Sequence, residues 1–331
     1  MNPFKSLRIF DEAGKITARV VEVALSELPS GEVVLQTAYS SVNYKDALAC
    51  TGTGGKIIRK YPLIGGIDAA GTVISSSDAR FKSGDEVICT SYDFGVAHDG
   101  GYSQVCRVPA DWVVPLPNGL TQFDAAALGV AGYTAGLAME LLELNGMSPD
   151  KGKVLVNGAT GGVATLAIDM LARLGYQVVA VTGKNAEHEF LRKLGAAEVL
   201  PRQKLEMGAR PLEKALWAAA FDSVGGEQLA WLTRTMQPGG LIASFGNAGG
   251  IELKTTVLPF ILRGVRLIGV NSGDTPMTLR RKVWGRLASD LKPRHLGDIA
   301  HTITLEELPG YFDRMLKAQT RGRAVVGIGD R

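Results

Sequence analysis

Val154-Leu155-Val156-Asn157-Gly158-Ala159-Thr160-Gly161-Gly162-Val163-Ala164 is the stretch that decides the fold. A short apolar run reads as a buried strand, the glycine-rich segment as a tight turn, and the residues from Gly162 as the start of a helix. Backbone N–H groups at such a turn and helix N-terminus face outward, where the helix dipole favours negative charge. Against the G-x-G-x-x-G pattern the first position is Ala159 and the third is Ala164, a place where Gly or Ala lets helix and strand pack closely. The motif alone is a weak signal. Inside a strand–turn–helix–strand unit it predicts a site for the pyrophosphate of a dinucleotide, the alternative being a structural turn.

The surroundings supply that unit. Gly162–Leu174 reads as a helix ended by Gly175, Gln177–Thr182 as a second strand, Ala186–Leu194 as a helix and Glu198–Leu200 as a strand. Ala218–Ser223, Glu227–Met236 and Leu241–Phe245 continue as strand, helix and strand. This alternation predicts a doubly wound parallel sheet. Upstream, Asp124–Leu144 is Ala- and Leu-rich and reads as a helix capped near Thr121 or Asp124. Before it lie short β runs such as Glu32–Ser40, Gly71–Ser75, Glu86–Thr90 and Gln104–Pro109, a texture that predicts a small barrel or sandwich. Beyond Thr256 a strand over Val265–Val270, helices over Thr278–Leu291 and Leu308–Ala318, and a closing strand over Gly322–Ile328 are expected. The expected fold is α/β, with a mostly β domain over 1–123, a dinucleotide-binding domain over 124–257, and a segment over 258–331. That segment supplies a sheet edge and returns to complete the first domain.

Composition narrows the function. The 331 residues carry 36 Lys and Arg against 33 Asp and Glu, a formal charge of +3, too balanced to call for a nucleic acid or a membrane surface. No unbroken apolar run approaches the roughly 18 residues that span a bilayer, and the start carries no signal-peptide core. Cys50, Cys89 and Cys106 are too few for a disulfide framework. A cytoplasmic protein is expected. The cysteines and the four histidines (His98, His188, His295 and His301) are scattered singly, so no metal site is expected. With neither a nucleophile elbow nor a Walker loop, the chemistry is expected from the dinucleotide.

Which dinucleotide is read at the end of the second strand. NAD binders place an acid there for the ribose 2′-hydroxyl. Here the sequence is Thr182-Gly183-Lys184-Asn185, a hydroxyl and a cation with no carboxylate. A 2′-phosphate is welcomed by that pair and repelled by an acid, which predicts NADP(H). The alternative leaves Lys184 as a solvated loop side chain.

The chain also resembles a known family. The strings Ser41-Val42-Asn43-Tyr44-Lys45-Asp46-Ala47-Leu48, Gly54-Gly55-Lys56-Ile57-Ile58-Arg59 and Gly66-Ile67-Asp68-Ala69-Ala70-Gly71-Thr72-Val73 carry the likeness. Further on, Gly84-Asp85-Glu86-Val87, Leu200-Pro201-Arg202, Arg210-Pro211-Leu212-Glu213-Lys214 and Thr255-Thr256-Val257-Leu258-Pro259-Phe260-Ile261-Leu262-Arg263 extend it over nearly the whole chain. On these the sequence resembles the zinc-independent branch of the medium-chain dehydrogenase/reductase superfamily, in its acrylyl-CoA reductase and YhdH-type quinone oxidoreductase group. The resemblance implies a GroES-like catalytic domain, discontinuous in sequence, a Rossmann domain and a homodimer. It also implies NADPH contacts at Tyr44, Ala159, Thr160, Gly161, Gly162, Thr182, Gly183, Lys184, Arg202, Asn247, Ile261, Ser272 and Arg323.

Zinc-dependent relatives carry a metal-binding Cys where this sequence has Asn43. An amide polarises a carbonyl less than Zn²⁺, which points away from alcohol oxidation and towards an alkene activated by its own carbonyl. Hydride would enter at the β-carbon of an α,β-unsaturated carbonyl, and the enolate would be held by donors and protonated. Tyr44 is the candidate for orienting the nicotinamide and donating that proton, since phenols are protonated at neutral pH; the alternative is a packing tyrosine. Asn43 is expected to hold cofactor or substrate carbonyl, or to form a turn. Lys56, Arg59 and Lys60, crowded into a Gly-rich loop, would meet the phosphates of coenzyme A or form a solvated basic run. The substrate expected is a 2-enoyl-CoA, acrylyl-CoA foremost; a quinone or enone is the alternative, and a non-catalytic NADPH-binding role the alternative from another class.

Overall fold

A computed structural model describes residues 2–329. The chain opens with a hairpin, β1 (Phe4–Glu12) and β2 (Lys15–Val23), closed at Ala13 and Gly14, both with positive φ. Two such residues make a turn whose twist follows that of the strands. Next come β3 (Val33–Ser41), α1 (Tyr44–Thr51), β4 (Leu63–Ile64), β5 (Asp68–Ser76), β6 (Glu86–Thr90), β7 (Val105–Val108) and β8 (Val113–Pro115). The long helix α2 (Gln122–Leu144) leads to β9 (Val154–Val156), α3 (Gly162–Arg173), β10 (Val178–Thr182), α4 (His188–Lys193) and β11 (Glu198–Pro201). There follow β12 (Trp217–Asp222), α5 (Gly226–Thr235), β13 (Met236–Ser244), α6 (Leu258–Arg263) and β14 (Arg266–Gly269). Last come α7 (Met277–Leu287), α8 (Leu296–Ile299), β15 (Ala300–Ile303), α9 (Leu308–Leu316) and β16 (Arg323–Gly327).

Contacts divide the chain into two compact units. The first holds the described residues up to Ala131, Gly273–Ala288 and those from Leu296; the second holds Gly132–Ser272 and Ser289–His295. The first unit is mostly β. Its seven-stranded sheet runs β15-β16-β3-β5-β6-β8, with β7 also on β3, and a three-stranded sheet runs β2-β1-β4. The closing strand β16 pairs antiparallel with β3, Val325 opposite Ser41, so residues far apart in sequence share one ladder. Leu7, Ile9, Ile64, Tyr102, Phe312 and Val326 are among its buried core.

The second unit carries a parallel sheet in the order β11-β10-β9-β12-β13-β14. Renumbered from β9, that is 3-2-1-4-5-6, the Rossmann order, and the fold class is the one expected from sequence. Every residue of β9, β10 and β12 is buried, which is why these strands read as unbroken apolar runs.

One sequence expectation needs correction, and two helices add to the sequence reading. The segment expected as a helix over Ala186–Leu194 is a 3-10 turn over Asn185–Glu187 followed by the shorter α4. Helix α1 was not anticipated, because its eight residues, YKDALACT, have no clear apolar stripe. And α2 is long and apolar enough to cross a bilayer, although its apolar residues are too interspersed with Asp124, Thr134 and Glu140 to form an unbroken run. Its most apolar window is 89% buried inside the protein, as in a core helix. Gly129, at φ 49 and ψ −150, breaks the helix into two.

Candidate active site

In the second unit, β9 delivers Asn157 to the carboxyl edge of the sheet, and five residues later α3 begins. Gly158 has φ +57, and a Cβ there would meet Ser223 Oγ at 2.3 Å, so only glycine fits. The N–H of Ala159 donates to Val181 O at 3.0 Å, and that of Gly161 to Gly158 O at 2.8 Å. These bonds fix the turn and bury Ala159. The first N–H groups of α3 have no acceptor inside their own helix and point along its axis, the arrangement that binds phosphate.

The neighbouring strand β10 ends in Thr182, whose Oγ1 accepts the Lys184 N–H at 3.1 Å. Arg202, which opens the turn after β11, lays its guanidinium on Gly183: a Cβ there would stand 3.0 Å from Nη2 and 3.3 Å from Nε. Gln203 Nε2 donates to Gly183 O at 3.2 Å. Gly183 thus leaves space that Arg202 fills, and Lys184 and Arg202 bring two cations to the end of β10, where Thr182-Gly183-Lys184-Asn185 carries no carboxylate of its own. The donor turn and the paired cations fit a dinucleotide with a phosphorylated ribose. Asn247 lies exposed beyond β13, and Ser272 Oγ accepts Thr134 Oγ1 at 2.8 Å. Ile261 is 69% exposed on α6.

In the first unit, Tyr44 is the first residue of α1 and is 42% exposed. No hydrogen bond to its hydroxyl is present among the described residues. Behind it lies a buried polar cluster. Asp68 accepts from the Ser41 N–H at 2.8 Å, Ser41 Oγ at 2.7 Å and Asn43 Nδ2 at 2.9 Å. Asp46 accepts from the Asn43 N–H at 2.9 Å and the Ile67 N–H at 3.1 Å. Arg323, 2% exposed, donates through Nε to Ala127 O at 2.9 Å and through Nη1 to Val42 O at 2.8 Å and Asn43 Oδ1 at 3.2 Å. Its Nη2 donates to Ser41 Oγ and stands 4.0 Å from Asp68 Oδ2. The Asn43 amide bridges the two carboxylates, donating to Asp46 Oδ2 at 3.1 Å and to Asp68 Oδ2 at 2.9 Å, so a proton on one relieves the repulsion between them. Burial, and the Asp68 carboxylate next, push Asp46 up to about 7.

This cluster engages both Asn43, which caps α1, and Arg323 in the interior of the unit. The Asn43 amide is engaged on both ends, and the Arg323 guanidinium is held by protein acceptors in the interior. Lys56, Arg59 and Lys60 are exposed, with Arg59 Nη1 3.2 Å from Asp93 Oδ1.

The relatives agree with this architecture. An Alcohol dehydrogenase GroES-like domain model matches residues 29–118, and a Zinc-binding dehydrogenase model residues 162–289. The Putative quinone oxidoreductase YhfP of Bacillus subtilis is 48% identical over 98% of this chain and 99% of its own length. The chain belongs to the medium-chain dehydrogenase/reductase family. As a member of that family, it is an oxidoreductase. The family also includes Acrylyl-CoA reductase AcuI of Ruegeria pomeroyi, 47% identical over 96% of both chains. A crystal structure of Escherichia coli YhdH with bound NADPH, 46% identical, superposes with a TM-score of 0.95 over 98% of this chain and all of that one. The Bacillus subtilis yhfP structure with NAD bound, 47% identical, gives 0.96 over 99% of this chain and all of that one.

Three acidic residues of this family member escaped sequence reasoning: Asp46, Asp68 and Asp222. Asp222 lies in a string otherwise apolar or small, inside a predicted buried strand, and an acid there is a signal in itself, since burial without partners is costly; Asp46 and Asp68 fall outside the predicted elements.

Proposed function

We propose that this chain reduces the C=C bond of a 2-enoyl-CoA thioester, acrylyl-CoA foremost, using NADPH. The observation that carries the cofactor half is the pairing of Lys184 and Arg202 at the end of β10 where an NAD-selective site has a carboxylate. Ala159 to Gly162 cradle the pyrophosphate, Thr182 to Lys184 and Arg202 take the 2′-phosphate, and Asn247, Ile261 and Ser272 line the remainder. When bound, NADPH supplies the hydride that reduces the alkene at its β-carbon. Tyr44 donates the proton that the α-carbon of the enolate then requires, so one hydride and one proton saturate the bond. The similarity to Acrylyl-CoA reductase AcuI over nearly all of both chains supports the substrate half.

Lys56, Arg59 and Lys60 are exposed cations within one loop and suit the phosphates of coenzyme A. A quinone or simple enone is the second reading, favoured by the similarity to YhfP. NADPH consumption measured with acrylyl-CoA, crotonyl-CoA and a naphthoquinone tests both. A KM for the thioesters that rises steeply when the three cations are replaced by Gln, with the KM for the quinone unaffected, supports the first. Turnover of the quinone alone rejects it.

The protein acts as a homodimer in the cytoplasm. The outer strand β14 has one unpaired edge in its sheet and an exposed Leu267, as an edge that another copy covers would have. All three cysteines are free, as a reducing compartment keeps them.

A further inference from the structure

The Rossmann order reverses between β9 and β12, and ligands of open α/β sheets bind in the crevice at that switch point. Two side chains tie the two strands together there. Asn157, just past β9, donates through Nδ2 to Asp222 Oδ1, at the end of β12, at 2.6 Å. Asp222 is fully buried, at 0% exposure. Its carboxylate also accepts the N–H of Val224 at 3.2 Å, that of Gly225 at 3.0 Å and Ser244 Oγ, at the end of β13, at 3.0 Å. Asn157 returns the link: its Oδ1 accepts the Ser223 N–H at 2.8 Å and its carbonyl accepts Ser223 Oγ at 2.9 Å. The next residue, Gly158, rests on that same Ser223.

We propose that Asp222 is a positioning residue for cofactor binding, holding the turn from Gly158 to Gly161 in the shape that presents its donors to a pyrophosphate. The inference rests on the NADPH reading above and adds to it a residue that touches no cofactor atom. A carboxylate is needed because the Gly225 N–H reaches both of its oxygens, at 3.0 and 3.2 Å. An amide at 222 would set its N–H₂ against that N–H in either orientation, and only the Ser244 hydroxyl could turn to accept from it. Asn157 would then lose its anchor, and the base of the turn with it.

The test measures Kd on the full-length protein for two ligands. NADPH carries the pyrophosphate; adenosine 2′-monophosphate carries only the 2′-phosphate that Lys184 and Arg202 meet. Asp222→Asn is expected to weaken NADPH at least about tenfold, the worth of a hydrogen bond to a charged group, and to leave adenosine 2′-monophosphate unchanged. Should Asp222→Asn fail to fold, Asn157→Ala keeps the backbone partners of Asp222 and is expected to show the same split between ligands. Unchanged NADPH affinity, or equal weakening of both ligands, overturns the proposal. Wild-type protein that binds no NADPH overturns instead the reading on which it rests.

Discussion

Gly129 lies against the Asp68 carboxylate: a Cβ built on that glycine would stand 2.5 Å from Oδ2. It would also fall 2.7 Å from Ser41 Oγ and 2.8 Å from Arg323 Nη2. The break in α2 is therefore the place where the helix meets the buried cluster, and the Val130 N–H donates to the same Asp68 Oδ2 at 3.2 Å. Gly129→Ala adds a methyl that the fixed carboxylate cannot evade, at a φ of +49 that L-residues avoid. A loss of about 3 kcal/mol in unfolding free energy is expected. A denaturation midpoint equal to wild type would show that the cluster yields.

Asp46 makes the cluster sensitive to pH. Its carboxyl titrates at about 7 in the folded protein and near 4 in an unfolded chain. The raised value means that the native state holds this proton longer, so the contribution of Asp46 is fully present below about pH 4 and is lost as pH rises towards 7. The slope from one proton is at most about 1.4 kcal/mol per pH unit. Asp99, also raised by burial, adds in the same direction, whereas His301, lowered by burial, adds the opposite one. The difference between wild type and Asp46→Asn isolates the residue. Thermal midpoints followed from pH 4.5 to 8 are expected to fall in wild type relative to the variant, and parallel curves would refute the assignment.

Lys184 and Arg202 make a charge-based selection. Lys184→Ala or Arg202→Ala is expected to raise the KM for NADPH by about tenfold, in line with a lost charge-assisted bond, and to leave that for NADH nearly unchanged. Because a yhfP structure holds NAD, both cofactors belong in the experiment. A wild-type KM for NADH at or below that for NADPH would remove the argument.

Tyr44 carries the proton step. Tyr44→Phe retains the ring and removes only the hydroxyl, so a fall in kcat of about a hundredfold or more is expected, with the NADPH Kd preserved. Full kcat in this variant would assign protonation to solvent and leave Tyr44 an orienting role.

Much of this is legible in the sequence. The strands of the parallel sheet are buried on both faces, so Val154–Val156 and Val178–Thr182 announce themselves as apolar runs, and glycines punctuate the turns between them. The cofactor turn is local, eleven residues from Val154 to Ala164, and its chemistry is carried by backbone N–H groups whose placement follows from the strand–turn–helix pattern. The absence of an acid after Thr182 is equally a local fact. Helix α1 was hidden because a short helix whose register is set by Asn43, Asp46 and Asp68 needs no apolar stripe of its own.

The sequence by itself determined the alternation of strand and helix, the phosphate turn and the charge that selects a dinucleotide, because each depends on neighbours within a few positions along the chain. Tertiary structure alone decided that Arg323 lies beside Ser41 and Asp68, and that Asp222 reaches back across the sheet to Asn157. Those partners are brought together by β16 folding onto β3 and by the parallel crossover from β9 to β12. A buried ionised or polar group takes its energy from whichever partners the topology delivers, and no spacing along the chain encodes them.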